Sequence, residues 1–196
     1  MIGAVVLAAG LSQRMGRPKM ILPWGSSTVI GQVVDVLIQS GSMPVVVVTG
    51  GWQAEVEQAL QGKLVQMVFN PDYANGEMLC SLQEGLRSLP AACEAALLAL
   101  GDQPQIDPTT VRALLGAYRQ KPAPVVMPSY QMRRGHPWLL RRDTWPEIWS
   151  LKPPQTLRDF LTKYKDAIQY VVVDTPLILE DMDTPEDYER LRQSLV

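Results

Sequence analysis

The chain has 196 residues, of which 46% are apolar and 19% charged, and its net charge is −2. That is enough for a single domain over 1–196 that buries roughly 70% of its extended-chain surface without covalent staples. The near-neutral charge gives no support to nucleic-acid or anionic-membrane binding. The two cysteines, Cys80 and Cys93, are too few for a disulfide framework, and no apolar run reaches the ~18 residues needed to cross a bilayer. A cytoplasmic compartment is expected from the lack of address signals.

Residues 3 to 8 read as a buried strand. A helical repeat starts at Ser27 or Thr28, with Val29, Val33 and Val36 on one face, and Gly41 ends it. Val45 to Val48 is a continuous β-branched run, as expected of a strand covered on both faces. Gly50-Gly51 turns the chain into a short helix over Glu55–Leu60, and Leu64–Phe69 is the third strand. After the break at Asn70-Pro71-Asp72, Met78, Leu82 and Leu86 mark a long helix. Ala95–Leu100 is the fourth strand, and Asp107-Pro108 opens the next helix. Val125–Met127 and Trp138–Leu140 read as strands, with Arg133–Pro137 a loop between them. Short helices follow around Trp145–Trp149 and Leu157–Tyr164, then a strand over Gln169–Val173 and a final amphipathic helix behind Thr184-Pro185-Glu186-Asp187. Buried strands alternating with helices imply an α/β fold with a mostly parallel twisted sheet and helices on both faces. Ligands of such sheets bind beyond the carboxyl ends of the strands, which aligns 10–19, 70–78 and 101–104 along one edge.

The loop after the first strand, Gly10-Leu11-Ser12-Gln13-Arg14-Met15-Gly16-Arg17-Pro18-Lys19, has the chemistry of a polyphosphate cradle. Gly10 and Gly16 let backbone N–H groups approach an anion, and Arg14 and Lys19 supply charge. It is neither a P-loop nor a dinucleotide fingerprint. Taken alone, it also fits an ordinary glycine-rich turn with surface cations. Asp102 directly follows a strand of small residues, where a carboxylate is costly to bury without a cation. Asp181 and Asp183 would point to the same side of an extended stretch near the other end of the chain. Asp102 with Asp183 makes a carboxylate pair suited to Mg²⁺ on a triphosphate. A turn role for Asp102 and a helix-dipole role for Asp183 stay open.

The string Leu7-Ala8-Ala9-Gly10-Leu11-Ser12-Gln13-Arg14-Met15-Gly16-Arg17-Pro18-Lys19 resembles the opening of MobA-like nucleotidyltransferases. Gly101-Asp102-Gln103-Pro104, Gly135-His136-Pro137 and Asp181-Met182-Asp183-Thr184-Pro185 resemble signatures of that family's molybdenum cofactor cytidylyltransferases. The resemblance implies a Rossmann-like three-layer fold and transfer of a nucleoside monophosphate from an NTP to a phosphorylated acceptor. It implies a nucleotide site of Leu7, Ala8, Ala9, Gly10, Ser12, Arg14, Gly16 and Lys19, with Asn70, Ser81 and Asp102 reading base, ribose or phosphate. Lys19, Arg14 and Asp102 would be catalytic, Asp102 and Asp183 would hold Mg²⁺, and Gly135, His136 and Arg158 would meet the acceptor. Ala9 leans towards CTP, and a molybdopterin-type acceptor follows, with molybdoenzymes as possible partners. Two stretches depart from the pattern. In Asn70–Ser81, Gly76 comes one place early and Cys80 replaces a serine. In Lys152–Arg158, only Arg158 survives of a Gly-Asp-x-Gly-Ala-Arg stretch. These leave open another phosphorylated acceptor, such as a sugar phosphate, or a non-catalytic cofactor-binding chaperone.

Overall fold

The computed structural model describes residues 1–12, 15–74 and 78–193. Strand β1 (Ile2–Ala8) is buried at every position because its two faces serve two cores. Ile2, Ala4, Val6 and Ala8 pack into one, and Val5 and Leu7 into the other. A two-stranded ribbon, β2 (Pro23–Trp24) against β3 (Ser27–Thr28), leads into α1 (Val29–Gln39). Thr28 caps that helix, its hydroxyl accepting from the Gly31 N–H at 3.1 Å. The chain continues through β4 (Val45–Thr49), α2 (Gln53–Ala59), β5 (Val65–Phe69), α3 (Met78–Ser88), β6 (Ala95–Leu100) and α4 (Pro108–Gln120). Asp107 caps α4 by accepting from the Thr109 and Thr110 N–H groups at 2.7 and 3.0 Å. Then come β7 (Val125–Tyr130), β8 (Arg133–Arg134), β9 (Trp138–Arg141), α5 (Trp145–Ser150), α6 (Leu157–Lys163), β10 (Ile168–Val172) and α7 (Pro185–Gln193).

The sheet order is β10-β7-β9-β6-β1-β4-β5, with β8 paired to β7. Pairing is parallel from β5 through β4 and β1 to β6, and between β10 and β7. β9 lies antiparallel between β6 and β7. Helices α1, α2 and α4 bury their apolar stripes on one face, and α3, α5 and α6 on the other, which gives the expected three layers. A third, smaller cluster joins the two ends of the chain: Met15, Leu22, Trp24 and Val29 pack against Met182, Tyr188 and Leu191.

Two local expectations change. Arg133 and Arg134 are not loop: they pair with Tyr130 and Ser129 in a tight hairpin, because the turn at Gln131–Met132 adopts positive φ values of 47° and 66°. The ribbon β2–β3 was not expected, since two-residue strands carry no periodicity to read.

Candidate active site

The carboxyl ends of β1, β5 and β6 open onto a cleft of about 450 Å³. The first loop contributes Ala9, Gly10, Ser12 and Lys19 to its wall, and Asp102 and Asp183 stand at its charged end. Lys19 is the hub of the site. Its side chain turns inward, leaving the residue 8% exposed. The ammonium pairs with Asp102 Oδ2 and lies 3.2 Å from Asp183 Oδ1. It also donates to the Met182 carbonyl at 3.2 Å. An ammonium has three protons to donate, so these partners occupy its full capacity. Burial works against the charged form, but Asp102 and then Asp183 outweigh it, and the Lys19 pKa lies above its ordinary value. The two acids expected from opposite parts of the chain therefore converge on one cation.

The approach of Asp102 depends on Gly101. A Cβ there would sit 2.9 Å from both the Leu7 carbonyl oxygen and Ile30 Cδ1, so only glycine lets β6 exit this close to β1. The first loop is fixed at two points. The Ser12 hydroxyl accepts from the Lys19 N–H at 3.2 Å, and the Trp52 indole donates to the Leu11 carbonyl at 3.1 Å. At Gly10, which lines the cleft, no atom of the described residues lies within 4 Å of where a Cβ would sit.

The other expected residues fall into groups. Leu7 and Ser81 line the cleft. Asn70 is buried beside it, donating from its amide to the Ser81 hydroxyl at 2.9 Å and accepting from the Asp72 N–H at 2.9 Å. Ala8 lies within β1, and Gly16 is an exposed turn residue at φ 64°. Arg14 and Gly76 lie outside the described residues. Gly135, His136 and Arg158 do not line the cleft. Gly135 packs on Ile178, and the His136 N–H donates to the Ile178 carbonyl at 3.3 Å. The His136 ring stacks on Trp138 at 4.4 Å, with Nδ1 buried and, among the described residues, without a hydrogen-bond partner. Burial pushes its pKa down to about 4, against a backbone hydrogen bond at Leu98. Arg158 is exposed in the first turn of α6.

Tyr73 and Met78, within the 70–78 stretch expected along this edge but not singled out, line the wall, and so does Leu100 at the end of β6. Gln103 and Gln105, both buried, bind the backbone of 177–180. Nothing in their spacing signals that long-range contact.

A family model described as the MobA-like NTP transferase domain matches residues 4–181. The chain belongs to the MobA-like NTP transferase domain family. Among its relatives, the molybdenum cofactor cytidylyltransferase of Escherichia coli K12 is 25% identical over 95% of this chain and 93% of that protein. Nicotine blue oxidoreductase of Paenarthrobacter nicotinovorans is 29% identical over 97% and 96%. Among solved structures, a Mycobacterium tuberculosis H37Rv protein superposes with TM-score 0.86 at 29% identity, covering 98% of this chain and 97% of that one. The same protein is also described in complex with manganese, at TM-score 0.81 and 28% identity over 98% of each chain. A nucleotidyl transferase from Methanothermobacter gives TM-score 0.84 at 27% identity, over 99% and 97%. Membership places the chain in a nucleotidyltransferase family with cytidylyltransferase relatives. Among the described residues, no helix is long and apolar enough to cross a membrane.

Proposed function

We propose that the chain is a Mg²⁺-dependent nucleotidyltransferase that moves a nucleoside monophosphate from an NTP, with CTP favoured, to a phosphorylated acceptor of the molybdopterin type, releasing pyrophosphate. The observation that carries this reading is the convergence of Lys19, Asp102 and Asp183 at one end of a cleft whose other walls come from the glycine-bearing first loop.

Two carboxylates within reach of one point are the hard-oxygen donor set that Mg²⁺ accepts, with phosphate oxygens and waters completing an octahedron. Asp102 and Asp183 would hold it, and it would supply charge neutralisation at the phosphates. The unfilled space at Gly10 suits an anion drawn up to backbone N–H groups. Lys19 would give up carboxylate contacts to meet the triphosphate, and Arg14, by the family resemblance, would add a second charge to it. An acceptor phosphate oxygen is already anionic, so in-line attack at the α-phosphorus needs no strong base. Positioning and electrostatics are then the main sources of rate. Ala9, on the cleft wall, supports CTP by the family resemblance alone.

A second reading keeps the chemistry and changes the acceptor to a sugar phosphate or another phosphorylated precursor. The altered 152–158 stretch and the position of Arg158 outside the cleft wall favour it. A non-catalytic cofactor-binding chaperone would not need the Lys19–Asp102–Asp183 arrangement. Pyrophosphate release measured with each of the four nucleotides, with and without molybdopterin and with sugar phosphates, tests all three. Release with CTP and molybdopterin supports the proposal. Release only with another acceptor moves it to the second reading, and nucleotide binding without release for any acceptor overturns transfer altogether.

A further inference from the structure

Asp183 reaches the cleft from an extended stretch between Leu179 and α7 that has no ladder of its own. Such a stretch is held only by what its backbone and side chains touch. Met182 anchors it in the small apolar cluster. The ion pair of Glu180 with Arg190 is on the surface and adds little. Lys19 donates to the Met182 carbonyl and to Asp183, the Asp187 carboxylate accepts from the Asp183 N–H at 3.3 Å, and the His136 N–H holds the Ile178 carbonyl. A further grip, on residues 177–181, comes from the turn that carries Asp102. Gln103 Nε2 donates to the Glu180 carbonyl and to Asp181 Oδ1, both at 3.3 Å. Gln105 Nε2 donates to the same Glu180 carbonyl at 2.7 Å and to the Leu177 carbonyl at 3.4 Å.

Both glutamines are buried, at 2% and 7% exposure, and among the described residues the Oε1 atom of each has no hydrogen-bond partner, so each side chain engages the 177–181 stretch through its amide nitrogen.

We propose that Gln103 and Gln105 are positioning residues that hold residues 177–183 so that Asp183 faces Asp102. The inference rests on the nucleotidyl-transfer reading. One short turn then sets both acids: Asp102 directly, and Asp183 through the two amides. The turn is itself closed by the Gln103 N–H on the Leu100 carbonyl and the Ile106 N–H on the Gln103 carbonyl, each at 3.3 Å. The β6 side of the site thus adds its own hold on the spacing of the acids to those of Lys19 and Asp187.

The test is a calorimetric titration of the full chain with CTP and with GTP, each with and without Mn²⁺. The quantity read is the gain in nucleotide affinity that the metal confers. Gln103→Met and Gln105→Met keep side-chain volume and remove the donor. Each single change leaves the Glu180 carbonyl one donor, so the singles carry the test if the double variant does not fold. Loss of groups that orient metal ligands costs roughly 10–100-fold in metal affinity, and the double variant should lose the gain on that scale. In an Asp183→Asn background the same changes should add almost nothing, because they act through Asp183. At saturating Mn²⁺ the variants should recover kcat while the KM for metal stays raised. Losses that add fully to that of Asp183→Asn, or a gain untouched in both singles, overturn the clamp. If wild-type pyrophosphate release is intact, that result leaves nucleotidyl transfer standing. A wild type in which metal adds nothing overturns the clamp, and if pyrophosphate release is also missing it overturns transfer too.

Discussion

Lys19→Met separates the structural role of this cation from its proposed catalytic one. The substitution removes the charge shared by Asp102 and Asp183 and leaves two carboxylates facing each other. Two unit charges about 4 Å apart attract by about 4 kcal/mol at an effective dielectric of 20. The acid side chains are 23% and 38% exposed, so water screens much of that. Breaking a fully buried pair costs about 3–5 kcal/mol, and an exposed one under about 1. A loss of about 2–3 kcal/mol is expected, which is roughly 4–12 °C in Tm for a chain of this size. Urea and thermal unfolding in metal-free buffer measure it. Mn²⁺ at about 100 times its Kd would return about 2.7 kcal/mol to the variant by binding the freed acids. The wild type, in which Lys19 competes for the same oxygens, should gain less from the same Mn²⁺ without nucleotide. The variant should meanwhile lose pyrophosphate release. A Lys19→Met protein as stable as the wild type, or equal Mn²⁺ stabilisation of both, would refute the account.

Other outcomes follow from single contacts. Asp102→Asn should cut pyrophosphate release by at least about 100-fold, a catalytic loss far larger than its effect on melting; near-normal release would remove Asp102 from the machinery. Gly50→Ala should destabilise by about 1–3 kcal/mol and weaken nucleotide binding, since the new Cβ would lie 2.5 Å from the Ala9 carbonyl oxygen and 2.6 Å from Tyr73 Cβ. Unfolding curves and a nucleotide titration check both parts. His136 is the single histidine, so its proton NMR titration is unambiguous and should report a pKa of about 4. Its folded pKa lies below the ordinary 6.5, so the unfolded chain binds the extra proton first and stability falls as pH drops from about 6.5 to 4. The contribution lost there is at most about 3 kcal/mol, and His136→Gln should flatten that part of the profile.

Most of the parallel half of the fold was legible because its signals are local. The valine run of β4, the small apolar β6 and the Asp107-Pro108 helix start each announce themselves within a few residues. What escaped reading depends on partners. The direction of β9 is set by its hydrogen bonds to β6 and β7, and four residues from Trp138 to Arg141 carry no sign of it. At the site, residue chemistry pointed Lys19, Asp102 and Asp183 at one shared metal–triphosphate ligand. That they bind one another, and that Gln103 and Gln105 reach across to 177–181, are properties of the assembled chain.

The inverted β9 has a consequence for where such a scaffold can vary. The parallel strands end at the carboxyl edge of the sheet, whereas β9 begins there, so His136 and Trp138 enter that edge from the β7–β8 hairpin while staying outside the cleft wall. Lengthening or trimming that hairpin would change the sheet's edge beside the cleft while leaving the glycine loop and Asp102 in their own registers.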